Sequence, residues 1–199
     1  EIPKLMTHPH VDLLFFLILM DLRNPIRVNQ LRKSRQLIKE RLINQNPLYE
    51  SSEVVKTIEK YSNHDEDVRM IVLNARDIVP YCMDLNVKLI KNTSVTPFIT
   101  SDFPLIKYNQ FLEKKNWIYG GHNGYGTIGA QMFFPLNEEY LLILFDPNVY
   151  KVGNNKDKIV EIDNKDSVDQ LNILQYLNCY ENLFFNHRTT RFYIDNLIE

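Results

Sequence analysis

The chain has 199 residues, 44% of them hydrophobic and 12% aromatic, with a formal net charge of −2. That is enough apolar material for a substantial core. The near-neutral balance excludes recruitment to nucleic acid or membrane by global charge, so any such partner must be met by a local patch. Two cysteines, Cys82 and Cys179, lie far apart without C-x-x-C spacing, which excludes a disulfide framework and points to a reducing, cytoplasmic setting.

The longest apolar run, "LLFFLILM" over residues 13–20, is too short for a membrane span of about 20 residues. Asp12, Asp21 and Arg23 flank it, and it has neither the basic lead-in nor the cleavage site of a signal peptide. It reads as a buried helix to about Leu22, capped by Thr7 or His8, with Pro9 in the first turn. Asn24-Pro25 repeats that logic and starts a second helix to about Asn44, with Leu31, Ile38 and Leu42 on one face. A third helix spans about Glu50 to Tyr61, with Val54, Val55 and Ile58. A fourth is capped by Asp65, carries a stripe from Val68 to Val79 and ends near Pro80.

After Asn86 the pattern becomes short and β-branched. "VKLIKN" and "VTPFIT" read as a hairpin, followed by candidate strands in "LIKY", "NWIYG", "TIGAQMFFPL", "YLLILFD" and "KIVEID". Ser167 is the expected cap of a long helix to about Phe185, and "RFYI" is a possible last strand. Consecutive strands with short connections predict an α+β fold: a helical half, about 1–84, packed on a mainly antiparallel sheet, about 85–199, closed by a long helix near the C-terminus. One domain over 1–199 is expected, because a helix that is apolar all round must be covered on every side.

Five of the six glycines fall between Gly120 and Gly129, in "GGHNGYGTIG". A phosphate cradle there lacks the P-loop lysine and the strand-to-helix context, so a hairpin loop is the preferred reading. His8 and His10, with Asp12, offer metal-ligand chemistry, but they open a helix, and His64, His122 and His187 show no ligand spacing. Capping therefore accounts for them better, and no metal is expected. Arg32, Arg35 and Lys39 share a helical face and form the candidate contact for an anionic ligand or nucleic acid. Asn172, Gln175, Asn178 and Asn182 make a polar stripe on the last long helix. It suits either a ligand's hydrogen-bonding edge or, the preferred reading, a solvent face.

The segment "PFITSDFPLIKYN" sets Thr100-Ser101-Asp102 between two apolar runs. Short side chains of this kind accept from nearby backbone N–H groups, and Pro104 holds Phe103 extended. Asp102 thus reads as a turn cap or as a functional carboxylate at a strand end. "LMDLRNP", "FITSDFP", "FFPLNEEYLLILF" and the helix bearing Asn172 resemble an uncharacterised bacterial family, one of the domains of unknown function. The resemblance covers about residues 11–186 and singles out Arg23, Thr100, Ser101, Asp102, Pro104, Pro135 and Asn172. The family's opening His-and-Pro segment is not placed in this chain. No reaction or cofactor is implied.

Together these point to a binding or effector module for an anionic ligand, a nucleotide or nucleic acid, using Arg23, Thr100, Ser101, Asp102 and Asn172. The alternatives are a phosphoester hydrolase or nuclease with Asp102 as metal ligand or general base, and a structural domain in which Asp102 pairs with Arg23.

Overall fold

The apolar run near the start of the chain forms α1 (His8–Leu22). Leu14, Leu17 and Ile18, spaced one helical turn apart, are fully buried. Phe16 stays 47% exposed, so the helix is not covered on every side. The computed structural model describes residues 2–117, 119–121 and 123–197. The chain divides into two compact units, Phe15–Ile78 and a second made of Glu1–Leu14 with Val79–Glu199.

In the helical unit, the Asn24 side chain accepts from Ile26 N at 2.7 Å and Pro25 opens α2 (Pro25–Gln45), as those residue types dictate. A 3₁₀ turn (Pro47–Ser51) then leads through the Ser52 cap to α3 (Glu53–Lys60). Asn63, not Asp65, caps α4 (His64–Ile78), its side chain accepting from Glu66 N at 3.0 Å. The acidic residues after it occupy the first turn, where the helix dipole favours them. The expected core stripe of α2 is not one: Ile38 is 53% exposed and Leu31 and Leu42 are only partly covered. Ion pairs tie this unit together instead. Asp67 on α4 takes Arg32 and Arg35 of α2, and Glu59 on α3 takes Lys39 at 2.6 Å.

The second unit is built on a sheet ordered β3-β4-β5-β1-β6. Its strands are β1 (Asn86–Asn92), β3 (Ile106–Tyr108), β4 (Gln131–Pro135), β5 (Tyr140–Phe145) and β6 (Ile159–Ile162); β2 (Thr100–Ser101) lies outside it. All pairings in that sheet are antiparallel except β1 with β6. The expected hairpin of "VKLIKN" with "VTPFIT" does not form. β1 pairs with β5 and β6, while β2 pairs antiparallel with β7 (Leu183–Phe184), Thr100 opposite Phe184. β4 and β5 are the most buried strands and carry Phe133, Leu141, Ile143 and Phe145 into a core with Ile90, Phe98 and Val168.

Helix α5 (Gln110–Lys114) follows the Asn109 cap. "NWIYG" forms no strand among its described residues, Ile118 lying outside them, and Trp117 and Tyr119 meet edge-to-face across 5.2 Å. Gly129, at φ +76°, closes the glycine-rich segment, of which His122 is not described. A Cβ there would stand 2.9 Å from Cβ of Phe111. Helix α6 (Lys165–Asn178) is capped by Asn164 rather than Ser167 and ends seven residues before Phe185. "RFYI" is helical, in α7 (Arg191–Asp195), because the Thr190 hydroxyl caps it by accepting from Tyr193 N at 3.1 Å. Ile194 and Leu197 pack there with Ile99.

Candidate ligand-binding site

The polar stripe of α6 is not a solvent face. Asn172 and Gln175 are each 1% exposed. Together with Asn178 they form a seam along the backbone of residues 97–105. The Asn172 side chain accepts from Ile99 N at 3.1 Å and donates to Pro97 O and to the Tyr193 hydroxyl, each at 2.9 Å. Gln175 Nε2 donates to the Ser101 hydroxyl and to Phe103 O, and Asn178 Nδ2 donates to Phe103 O and Leu105 O. A segment interrupted by Pro97 and Pro104 cannot satisfy itself by regular ladder pairing. Neutral amides supply both donors and an acceptor in its place.

Asp102 is exposed, not buried, and its partners are not in its own turn. Its carboxylate accepts from the backbone N–H groups of Tyr180, Glu181 and Asn182 at 2.9–3.0 Å, and Asp102 N donates to Asn182 O at 3.0 Å. The modest desolvation there pushes its pKa up, but these three N–H groups outweigh it and hold the carboxyl below the usual range. The clamp catches the chain as it leaves α6 and delivers it to β7, opposite Thr100.

That delivery builds one wall of a cleft. About 240 Å³ in volume, it is lined by Phe98, Thr100, Pro135, Leu136, Phe184 and Phe185, with Asn137, Glu138 and Asn186 at its polar side. A second, polar cleft of about 190 Å³ shares Glu138 and is lined by Asn92, Thr93, Ser94, Glu139 and Arg188. Glu138 sits on the β4–β5 hairpin. The Asn137 side chain shapes that turn by accepting from Glu139 N at 2.9 Å and Tyr140 N at 2.8 Å. Arg188 Nη2 stands 3.9 Å from Glu138. A hydrogen bond from its own backbone N–H first, then the Asn186 side chain, Arg188 and His187, hold the Glu138 carboxyl below its ordinary pKa. Asn186 accepts from Arg188 N at 3.0 Å, and its buried Nδ2 makes no well-formed hydrogen bond.

The other candidates are distributed differently. Thr100 lines the cleft, Ser101 and Asn172 belong to the seam, and Asp102 is exposed beside them with its carboxylate on the backbone of residues 180–182. Arg23 is exposed on the helical unit. Arg32 and Arg35 both engage Asp67 and Lys39 engages Glu59, so this row of cations is already met by carboxylates. His8 pairs with Asp12 at 3.2 Å on the surface. His10 is fully buried, accepts from Met6 N through Nδ1 at 3.4 Å, and is lowered in pKa by burial. Two residues apart on a helix, the two imidazoles do not converge. Among the described residues no cluster of three or more His, Cys, Asp or Glu is arranged to hold a metal. Cys82 is buried, its thiol pushed up to about 12 chiefly by desolvation, and both cysteines are free. Among the described residues no helix is long and apolar enough to cross a membrane.

Glu138, Asn186 and Arg188 escaped the sequence reading. Glu138 lies about 50 residues from the other two and forms no spaced motif with them; the one available signal was polar "NHR" directly after apolar "LFF". Fold and cleft together define an α+β protein in which Thr100 of the T-S-D segment and Pro135 and Leu136 of the F-P-L segment line one cleft, while Asn172 holds the backbone of residues 97–99. The chain belongs to a family described as a protein of unknown function, DUF4238, whose model matches residues 3–189. No curated protein and no solved structure matches it.

Proposed function

We propose that this chain is a binding module whose ligand is a nucleotide held in the cleft around Glu138. The observation that carries the reading is the meeting, at one carboxylate, of an aromatic-walled cleft and a polar cleft containing Arg188. Phe98, Phe184 and Pro135 offer apolar surfaces for a planar ring, and base–aromatic stacking tolerates many bases. Glu138 supplies an acceptor, which suits a base presenting an exocyclic amino group. Arg188 suits the phosphate. Ser101, Asp102 and Asn172 act in this reading as the frame that positions Phe184 and Asn186. The Asp102 carboxylate, already taken by three N–H groups and low in pKa, is poorly placed for a general base. The two free thiols support a reducing, cytoplasmic setting.

Calorimetric titration of the full chain with CMP, UMP and cytidine tests this. CMP is expected to saturate one site, with UMP and cytidine each weaker by about tenfold. Arg188→Met should abolish the advantage of CMP over cytidine, and Glu138→Gln the advantage of CMP over UMP. Failure of any nucleotide to bind, or binding indifferent to both substitutions, overturns the reading.

A further inference from the structure

We propose that the helical unit carries a separate binding site for a single-chain amphiphile with an anionic headgroup, in a cleft of about 400 Å³ formed by α2, α3 and α4. The cleft lies in the size range of small-molecule sites. Its walls include Ile58, Tyr61, Met70 and Leu73, with Arg35 and Arg69 among them.

The argument for an anion is one of charge balance. Asp67 is 2% exposed and both its oxygens are taken, Oδ2 by Arg32 Nε at 2.6 Å and Oδ1 by Arg35 Nη1 at 2.5 Å. Two guanidiniums share one negative charge, which leaves the cluster one positive charge in excess. The Arg35 side chain is 15% exposed and is among the residues lining the cleft. A largely desolvated guanidinium that shares its carboxylate with a second cation is incompletely neutralised, and an incoming anion completes the balance. The other charges facing the cleft do not supply it, since Glu66 lies 3.7 Å from Arg69 and balances that residue. The argument for a chain is the remaining wall. Ile58, Met70 and Leu73 give the cleft an apolar wall beside Arg35, and Tyr61 adds to it. A carboxylate or sulfate head at Arg35 with a hydrocarbon tail along that wall satisfies both halves. A simple inorganic anion would leave the wall uncovered, and an uncharged alkyl chain would leave the charge unbalanced.

The test uses the full chain and alkyl probes below their micellar concentrations, followed by calorimetry. Decanoate is expected to bind one per chain, roughly fifteenfold tighter than octanoate, because each of the two added buried methylenes contributes about fourfold. Decyltrimethylammonium, with the same tail and the opposite charge, should bind at least about tenfold more weakly. Arg35→Met leaves Arg32 and Asp67 as a neutral pair. It should weaken decanoate about tenfold without weakening decyltrimethylammonium, and Leu73→Ser should weaken decanoate in a chain that otherwise melts normally. If Arg35→Met does not fold, the headgroup comparison in the parent chain and Leu73→Ser decide. Equal binding of the two headgroups, no dependence on tail length, or indifference to both substitutions overturns the proposal. So does an acidic amphipathic peptide that binds while decanoate does not.

Discussion

In the helical unit a buried carboxylate, Asp67, is held by two guanidiniums. In the sheet unit a row of buried amides on α6 is held by backbone N–H and C=O groups. Both satisfy polar atoms away from water, as burial requires. The charged cluster depends on protonation and on keeping every partner, since loss of one strands the others. The amide seam is indifferent to pH across the carboxylate range. It also reads individual backbone positions, so it fixes the register of residues 97–105 beneath the cleft. Asp102 lies between the two kinds: a carboxylate that recognises backbone, exposed where Asp67 is buried.

The largest effect that would break this comparison is expected at Asp67. Asp67→Asn leaves Arg35 without a counter-charge and should cost about 3–5 kcal/mol of stability, read as a lowered midpoint in urea. Desolvation alone would raise the Asp67 pKa, but hydrogen bonds and charges from Arg32 and Arg35 bring it below its ordinary value. Its contribution is therefore complete above that ordinary value and is lost as pH falls through the lowered one. The deficit of Asp67→Asn should accordingly shrink in acid.

Asn172→Ala comes next. It leaves Ile99 N and Pro97 O unpaired in the core, at about 3 kcal/mol. That deficit should be the same at pH 7 and pH 4, because no titrating carboxylate makes those bonds. A deficit that shrinks with acid would show that the seam depends on charge after all.

The smallest of the three is Asp102→Asn, about 1 kcal/mol at neutral pH, the scale of a lost cap at an exposed position. The Asp102 pKa is lowered too, so the difference from the parent should narrow below the ordinary carboxylate range, as it does for Asp67 and not for Asn172. Protection of the Tyr180, Glu181 and Asn182 amides from hydrogen exchange should fall in this variant. Unchanged protection would separate Asp102 from the positioning of β7.

Local chemistry was legible in the sequence, and long-range pairing was not. Asn24-Pro25 announced the start of α2, and the β-branched runs announced β1, β5 and β6, because caps and strand periodicity are written in neighbouring residues. The partner of β2 is written 84 residues downstream in Phe184, opposite Thr100, so adjacency suggested the wrong hairpin. "RFYI" has strand-like residues, yet the Thr190 cap and burial of Ile194 decide for helix, a tertiary override of propensity. The α6 stripe was visible but misassigned. Periodicity gives a polar face, not what lies against it, and here that is a proline-flanked backbone with unmet hydrogen bonds. The sequence reading also centred the site on Asp102. The structure gives that carboxylate to the backbone of residues 180–182, and the groups left facing a cavity are Glu138, Asn186 and Arg188.

The most direct test of the central claim is the backbone amide spectrum of the ¹⁵N-labelled full chain during titration with CMP. The account predicts saturable shifts concentrated at Thr93, Ser94, Asn137, Glu138 and the 184–188 segment, with the amides of residues 32–39 unmoved. Shifts concentrated instead along Arg32, Arg35 and Lys39, or a spectrum that CMP leaves unchanged, would contradict it.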